Sequence, residues 1–310
     1  MPRSYFLPRR IRRKFSQSYD FVWRVESWVI GLLFGVFKML PINWAMRFGS
    51  AVFALFGPYS PRAGKIRQNL RIAFPHMGEQ KIDQTMRGVY RHLGTAMAEL
   101  VRLNKIWRER DQRLEFHLCP GAIKPTPQRK TVFVTAHCGA WQLTPLVAPH
   151  YGLTVPLIYA PEENPYVDRK LAKLRKAFGS PLVSRDGGIR VLMRALDKGH
   201  SIGLTMDTRM DSGEALPFFG ELALTNTAPA LLALRYGCDV VPVLAQRRPN
   251  ARYKINIFAP IVPRDPSADA DEQARDITRQ INALFETWIS DMPDQWLCMK
   301  RRWPKEAYRR

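Results

Sequence analysis

The stretch Thr135–Ala136–His137–Cys138–Gly139–Ala140–Trp141–Gln142 follows directly on the apolar run Thr131–Val134. A histidine at the end of a strand-like run, ahead of a small-residue turn, is placed to act as a general base. Its ordinary pKa of about 6.5 lets the neutral imidazole take up a proton near pH 7. In open α/β sheets ligands gather beyond the carboxyl ends of the strands, which is where His137 falls. Gly139–Ala140 permits a sharp turn into a helix beginning near Trp141, so the side chain of Gln142 is expected to point back at His137. A base of this kind wants a carboxylate on its other ring nitrogen, to fix the tautomer and stabilise the imidazolium. Glutamine offers an acceptor oxygen but no charge.

A second group of residues falls at the next strand end. Asp207 closes the run Ser201–Asp207, and Thr208–Arg209 follow it. An Asp beside an Arg is also a plain ion pair. Arg185 and Arg190 flank the turn signal Gly187–Gly188, and Thr225 precedes a small-residue helix. Each of these is weak alone. Together they outline a cationic cleft beside a histidine, suited to an anionic substrate, with Arg185, Arg190, Asp207, Arg209 and Thr225 as candidate binding residues.

The elements that must carry these residues alternate. Strand-like runs occupy 131–137, 154–160, 201–207, 238–246 and 253–261, with helical segments over 166–178, 188–198 and 227–236. Short apolar runs separated by amphipathic helices predict an α/β fold with a largely parallel central sheet flanked by helices. Before them, Ile82, Met86, Val89, Tyr90, Leu93, Met97, Leu100 and Val101 recur at helical steps within 78–103. After them, Ile277, Ile281, Leu284, Trp288 and Ile289 mark a C-terminal helix over 269–291.

The N-terminus has a different character. Arg3, Arg9, Arg10, Arg12, Arg13 and Lys14 precede two apolar segments, Ser27–Leu40 and Trp44–Phe56. Both are shorter than the roughly 20 residues that span a bilayer comfortably. They read as an anchor dipping into one leaflet, or as one marginal span, with the basic cluster on the cytoplasmic side. No small-residue cleavage site follows them, so a signal peptide is not expected. The boundaries expected are 1–60 for the basic N-terminus and anchoring helices and 61–310 for the catalytic domain.

The net charge of +21 over 310 residues predicts an acidic partner. Nucleic acid is not expected to be that partner, because no zinc-finger, RRM or helix-turn-helix pattern accompanies the charge. The four cysteines are isolated and no HExxH spacing occurs, so neither a metal nor another cofactor is expected.

With these residues assembled, the chain resembles the lipid A biosynthesis acyltransferases (the Kdo-dependent lauroyl and myristoyl transferases), which share a lysophospholipid- and glycerolipid-acyltransferase-like fold. The resemblance covers the N-terminal apolar segments, "NLRIAFPH" (69–76), "HCGAWQL" (137–143), "LPFFGELALTNTAPALLAL" (216–234), "GCDVVPVL" (237–244) and "MPDQWLCMKRRWP" (292–304). It implies transfer of a fatty acyl group from acyl carrier protein, or from coenzyme A, to a hydroxyl of a phosphorylated glycolipid at the cytoplasmic face of a bacterial inner membrane. His137 matches the family's base. The family pattern has Asp or Glu where this chain has Gln142, a neutral replacement of the same shape, natural or engineered. That loss is expected to slow turnover on the order of 10²–10⁴. Acylation of another lipid (an ornithine lipid or a phosphatidylinositol mannoside) and a catalytically dead lipid-binding homologue stay open as alternatives.

Overall fold

The computed structural model describes residues 19–159, 161–184 and 188–309. The basic run before Tyr19 and the candidate Arg185 lie outside the described residues. The helices that come first among the described residues include α1 (Tyr19–Met39), α2 (Ile42–Phe56), α3 (Ala63–Ala73) and α4 (Glu79–Val101). A seven-stranded sheet follows, built from β1 (Leu114–Leu118), β2 (Thr131–Thr135), β3 (Leu157–Tyr159), β4 (Leu182–Ser184), β5 (Ile202–Thr205), β8 (Asp239–Arg248) and β9 (Arg252–Ile257). Helices α5 (Pro165–Arg175), α6 (Gly188–Asp197) and α7 (Ala228–Tyr236) connect its strands, and α8 (Ala270–Asp291) packs back on it. Strands β6 (Glu214–Phe218) and β7 (Glu221–Thr225) form a separate hairpin.

The strand order is β1-β9-β8-β2-β5-β3-β4. The five strands from β8 to β4 run parallel, while β9 is antiparallel to β8 and β1 runs parallel to β9. The central position explains the sequence of β2: all five residues of "TVFVT" are buried, as a parallel strand covered on both faces requires. Alternation along it feeds two cores. Val132 and Val134 join Ile66, Leu70, Met86, Phe285 and Trp296, whereas Phe133 joins Phe37, Ile42, Leu146, Val167 and Tyr253 on the other face. Helix α4 contributes to both, with Met86 and Val89 in the first and Ala98 and Leu100 in the second.

Helices α1 and α2 bury Phe34, Phe37, Ile42 and Ala45 in the second core. Their other surface is apolar and open. Trp28 is 81% exposed, Leu32 72%, Trp44 62% and Phe56 66%. Among the described residues no helix is long and apolar enough to cross a membrane, so the marginal span is not found. The physical reason lies in α1 itself. It carries Asp20, Arg24, Glu26 and Lys38, and Glu26 is buried where it accepts a hydrogen bond from the Asn164 amide (3.2 Å). A charged group held by the protein turns that face of α1 away from lipid.

Candidate active site

His137 and Asp207 each stand two residues past the ends of adjacent parallel strands. Thr135 of β2 is opposite Thr205 of β5, and the Met206 N–H donates to the Thr135 carbonyl (3.0 Å), carrying the pairing one residue further. This brings His137 Nδ1 to 2.7 Å from Asp207 Oδ1. The carboxylate accepts there, so Nδ1 carries the proton and Nε2 keeps its lone pair. The other carboxylate oxygen, Oδ2, accepts from the indole N–H of Trp296 at 3.1 Å. Asp207 is 3% exposed and His137 is more open on the cavity side, with 24% of its side chain exposed.

Two backbone contacts hold the histidine. The Leu297 N–H donates to the His137 carbonyl (2.8 Å), and the Ala140 N–H donates to the Ala245 carbonyl of β8 (2.7 Å). Gly139 between them has φ +57°, and a Cβ there would lie 2.4 Å from the Ala245 oxygen. Only glycine fits this turn. The C-terminal segment carrying Trp296 and Leu297 is itself tied down, because Asn69 of α3 donates to the carbonyls of Cys298 and Lys300 (both 2.7 Å).

The electrostatics follow from this geometry. Burial works to lower the His137 pKa, but the charge of Asp207 and its hydrogen bond outweigh it, and the net shift is upward. Burial works to raise the Asp207 pKa, and the imidazole beside it overcomes that, so the carboxyl stays below its ordinary range. Each group stabilises the charged form of the other.

A cavity of about 1580 Å³ opens beside the pair and is lined by His137 and Asp207. Its apolar lining includes Phe133, Val147, Val155, Leu157, Phe178 and Leu192. Cationic side chains line it as well: Arg62, Lys65, Arg190, Arg209, Lys300 and Arg301. Arg302 is part of the lining too, yet is only 2% exposed, and burial lowers its pKa to about 10. A lining that holds both apolar and cationic side chains suits a molecule with a hydrocarbon chain and an anionic group. Among the described residues no group of three His, Cys, Asp or Glu side chains is arranged to hold a metal.

The expected site residues divide on inspection. Gln142, Arg190 and Arg209 line the same cavity as His137. Gln142 is not, however, the partner of the imidazole, since Nδ1 is bonded to Asp207. The chain leaves Gly139–Ala140 as a 3-10 helix (Trp141–Leu146), and the Asp at the neighbouring strand end reaches Nδ1 instead. The expectation that residue 142 supplies the orienting group is thereby corrected. Asp207 bonds the histidine and also lines the cavity. It forms no ion pair with Arg209, which is ion-paired with Asp211 (2.7 Å) and donates through Nη1 to the Trp303 carbonyl (3.2 Å). Thr225 does not line the cavity. Fully buried, it accepts from Arg302 Nη2 (2.7 Å) and donates to the Ala223 carbonyl (2.9 Å), pinning the β6–β7 hairpin to the C-terminal segment. Sequence reasoning missed Trp296, Asn69 and Arg302 as contributors. All three fall within the blocks "NLRIAFPH" and "MPDQWLCMKRRWP", whose order along the chain gives no hint that Asn69 holds the other block in place.

Comparison with known proteins adds the identity of the fold's relatives. Residues 12–305 match the family described as bacterial lipid A biosynthesis acyltransferase. The lipid A biosynthesis lauroyltransferase of Escherichia coli (strain K12) is 25% identical over 293 residues, covering 89% of this chain and 90% of its own. The lipid A biosynthesis acyltransferase of Haemophilus influenzae (strain ATCC 51907 / DSM 11121 / KW20 / Rd) is 19% identical over 240 residues, 75% of this chain and 73% of its own. The crystal structure of the 1-acyl-sn-glycerophosphate (LPA) acyltransferase PlsC from Thermotoga maritima aligns with a TM-score of 0.37 and 13% identity, over 80% of this chain and 95% of that one. The match over residues 12–305 takes in the dyad, the cavity and the Trp296 segment alike, and the chain belongs to the bacterial lipid A biosynthesis acyltransferase family, as an acyltransferase.

Proposed function

We propose that the protein transfers a fatty acyl group from a thioester, on acyl carrier protein or coenzyme A, to a hydroxyl of a phosphorylated lipid A precursor, with His137 as the general base. The single observation that carries this is the chain Trp296–Asp207–His137 at the edge of a cavity lined by apolar and cationic side chains. In the step proposed, the acceptor hydroxyl attacks the thioester carbonyl while its proton passes to His137 Nε2. The tetrahedral intermediate then expels the thiolate, which takes the proton back from the imidazolium, giving an ester and a free thiol. Asp207 keeps Nδ1 protonated and stabilises the imidazolium as it forms. No covalent acyl-enzyme is needed. A carboxylate already stands on the imidazole, so the site is read as an active one with Gln142 in a different role.

The cationic lining suits phosphate on the acceptor, and the net charge of +21 suits both an acidic carrier protein and an anionic membrane surface. The open apolar surface of α1 and α2, with Trp28, Leu32, Trp44 and Phe56, supports attachment to one leaflet of the bacterial inner membrane from the cytoplasmic side. The test is an acyl-transfer assay in detergent, with acyl carrier protein loaded with a fatty acid and a tetra-acylated, Kdo-bearing acceptor, read by mass spectrometry. The wild-type chain adds one acyl group and His137→Ala does not. A His137→Ala rate equal to wild type removes His137 as the base, and no product from the wild-type chain favours a lipid-binding homologue or a different acceptor.

A further inference from the structure

A buried polar cluster lies outside the cavity and has no place in the acyl-transfer step described above. Glu99 of α4 is fully buried, and Arg247 of β8 grips it with two prongs, Nε to Oε1 and Nη2 to Oε2, both 2.7 Å. Neither residue lines the cavity, and nor do His92 or Gln295. For stability alone a buried ion pair is a poor device, because two apolar side chains of similar volume serve a core as well or better. The remaining nitrogen of the guanidinium explains why this pair is here. Nη1 donates to the Gly139 carbonyl (3.0 Å), to Gln295 Oε1 (3.1 Å) and to His92 Nδ1 (2.9 Å).

Two of those acceptors belong to the two arms of the dyad. Gly139 lies two residues after His137, in the turn that Ala245 also holds. Gln295 directly precedes Trp296, whose indole bonds Asp207, and Leu297 next to it bonds the His137 carbonyl. We propose that Arg247, oriented by Glu99, is a positioning residue for the His137–Asp207 pair: its Nη1 clamps the turn that carries the imidazole to the segment that carries Trp296. A two-pronged carboxylate contact fixes the plane of a guanidinium, so the third nitrogen points in one direction. Lysine has the charge but not the fork.

His92 completes the cluster. Its Nδ1 accepts from Arg247, which puts the ring proton on Nε2. Burial, and then the Arg247 charge, hold its pKa well below the ordinary value, so it stays neutral. Its ring lies 5.1 Å from that of Trp141, and Trp141 in turn lies 5.9 Å from His137. The charged groups acting directly on His137 are therefore Asp207 and Lys300, with His92 adding none near neutral pH.

The inference rests on His137 as the base, and the experiment separates the two. Arg247→Lys and Gln295→Leu are prepared with wild type and His137→Ala, each labelled with ¹⁵N-histidine. Steady-state rates, thermal unfolding and the pH titration of the His137 ring are then measured. The expected result is a kcat at least tenfold lower in Arg247→Lys with KM within twofold. The His137 titration midpoint should move down toward that of a free histidine, as the Asp207 contact loosens. Gln295→Leu, which removes only one acceptor, should show the same pattern more weakly and remain folded. The proposal is overturned if both rate and titration are unchanged in the folded variants. It is equally overturned if kcat falls with the titration unmoved, since the loss then lies elsewhere. If Arg247→Lys does not fold, Gln295→Leu alone decides by the same two readouts. The ring titration is read whether or not His137→Ala abolishes activity, so a failure of the base assignment is seen separately.

Discussion

His137 and Asp207 are 70 residues apart in the chain and 2.7 Å apart in the fold, because β2 and β5 are neighbours and end in register. Nothing in the local sequence of either strand end announces this pairing. A parallel connection leads from β2 through β3, α5, β4 and α6 before returning beside it as β5. The imidazole and the carboxylate bonded to it therefore sit at the carboxyl edge of two adjacent strands, where α/β sheets collect their chemistry. The buried carboxylate is further held by an indole N–H from the far end of the chain.

Asp207→Asn should disable the enzyme without unfolding it. The amide keeps the shape and can still hydrogen-bond the imidazole, but it supplies no charge and favours the wrong tautomer as readily as the right one. A loss in kcat of about 10²–10⁴ is expected. The acid limb of the rate profile should also move. In the wild type the net effect of Asp207 raises the His137 pKa, so the base is lost to protonation as pH falls through that raised value. Without the carboxylate charge the limb should shift to lower pH. A kcat/KM profile from pH 5 to 9 checks both; a limb that stays in place overturns the role given to Asp207.

Gln142→Glu carries the contrasting expectation. Residue 142 lines the cavity but does not bond the imidazole, so a new carboxylate there acts through space on a partly exposed site. Such charges are worth up to about 1 kcal/mol, which is roughly a fivefold change in rate. A gain of a hundredfold or more would instead mean that the chain is disarmed and that Asp207 cannot stand in for the missing acid.

How much of this was legible beforehand depended on distance along the chain. Runs with a clear period, such as 78–103 and 269–291, became α4 and α8 almost unchanged, because a two-faced helix is written in its own residues. The buried parallel strands β2 and β8 were legible as short apolar runs. Strand β4 was missed because its three residues, Leu182–Ser184, are too few to show any period. His137 and Asp207 were each legible as strand-end groups, while their bond was not, since it depends on which strands become neighbours. The same holds for Arg247 and Glu99, which are 148 residues apart and look like ordinary helix and strand charges until β8 crosses α4. The nearest candidate in sequence, Gln142, drew the attention that the fold gives to Asp207.

The contact between α2 and α4 makes a stability prediction. Gly49 and Gly94 face each other so closely that a Cβ on Gly94 would lie 2.1 Å from the Gly49 oxygen, and one on Gly49 would lie 2.5 Å from the Gly94 oxygen. The clash is with backbone, which cannot rotate away. Gly94→Ala should cost about 1–3 kcal/mol and lower the Tm by several degrees. Gly64 in α3 has nothing within 4 Å of the added carbon, so Gly64→Ala should instead stabilise by roughly 0.5–1 kcal/mol. Differential scanning fluorimetry on the pair decides it; equal Tm values for the two variants would contradict the close approach.

The open face of α1 and α2 makes the proposed attachment to a lipid surface testable. Trp28, Leu32 and Trp44 present large apolar side chains to the outside while Phe34 and Phe37 of the same region are buried. Removing one such side chain from a lipid interface forfeits on the order of 1.5–3 kcal/mol. The double variant Trp28→Ser/Leu32→Ser should therefore lower partitioning onto vesicles with a fifth of anionic lipid by about a hundredfold or more. Its Tm in detergent should stay close to wild type, because neither side chain is part of the core. The basic run before Tyr19 adds an electrostatic attraction that falls with ionic strength, so wild-type binding should weaken as salt rises. Sedimentation with vesicles across a salt series separates the two contributions. Partitioning that ignores the double substitution but follows salt would mean that charge alone holds the protein at the surface. The apolar face would then be covered by something other than lipid.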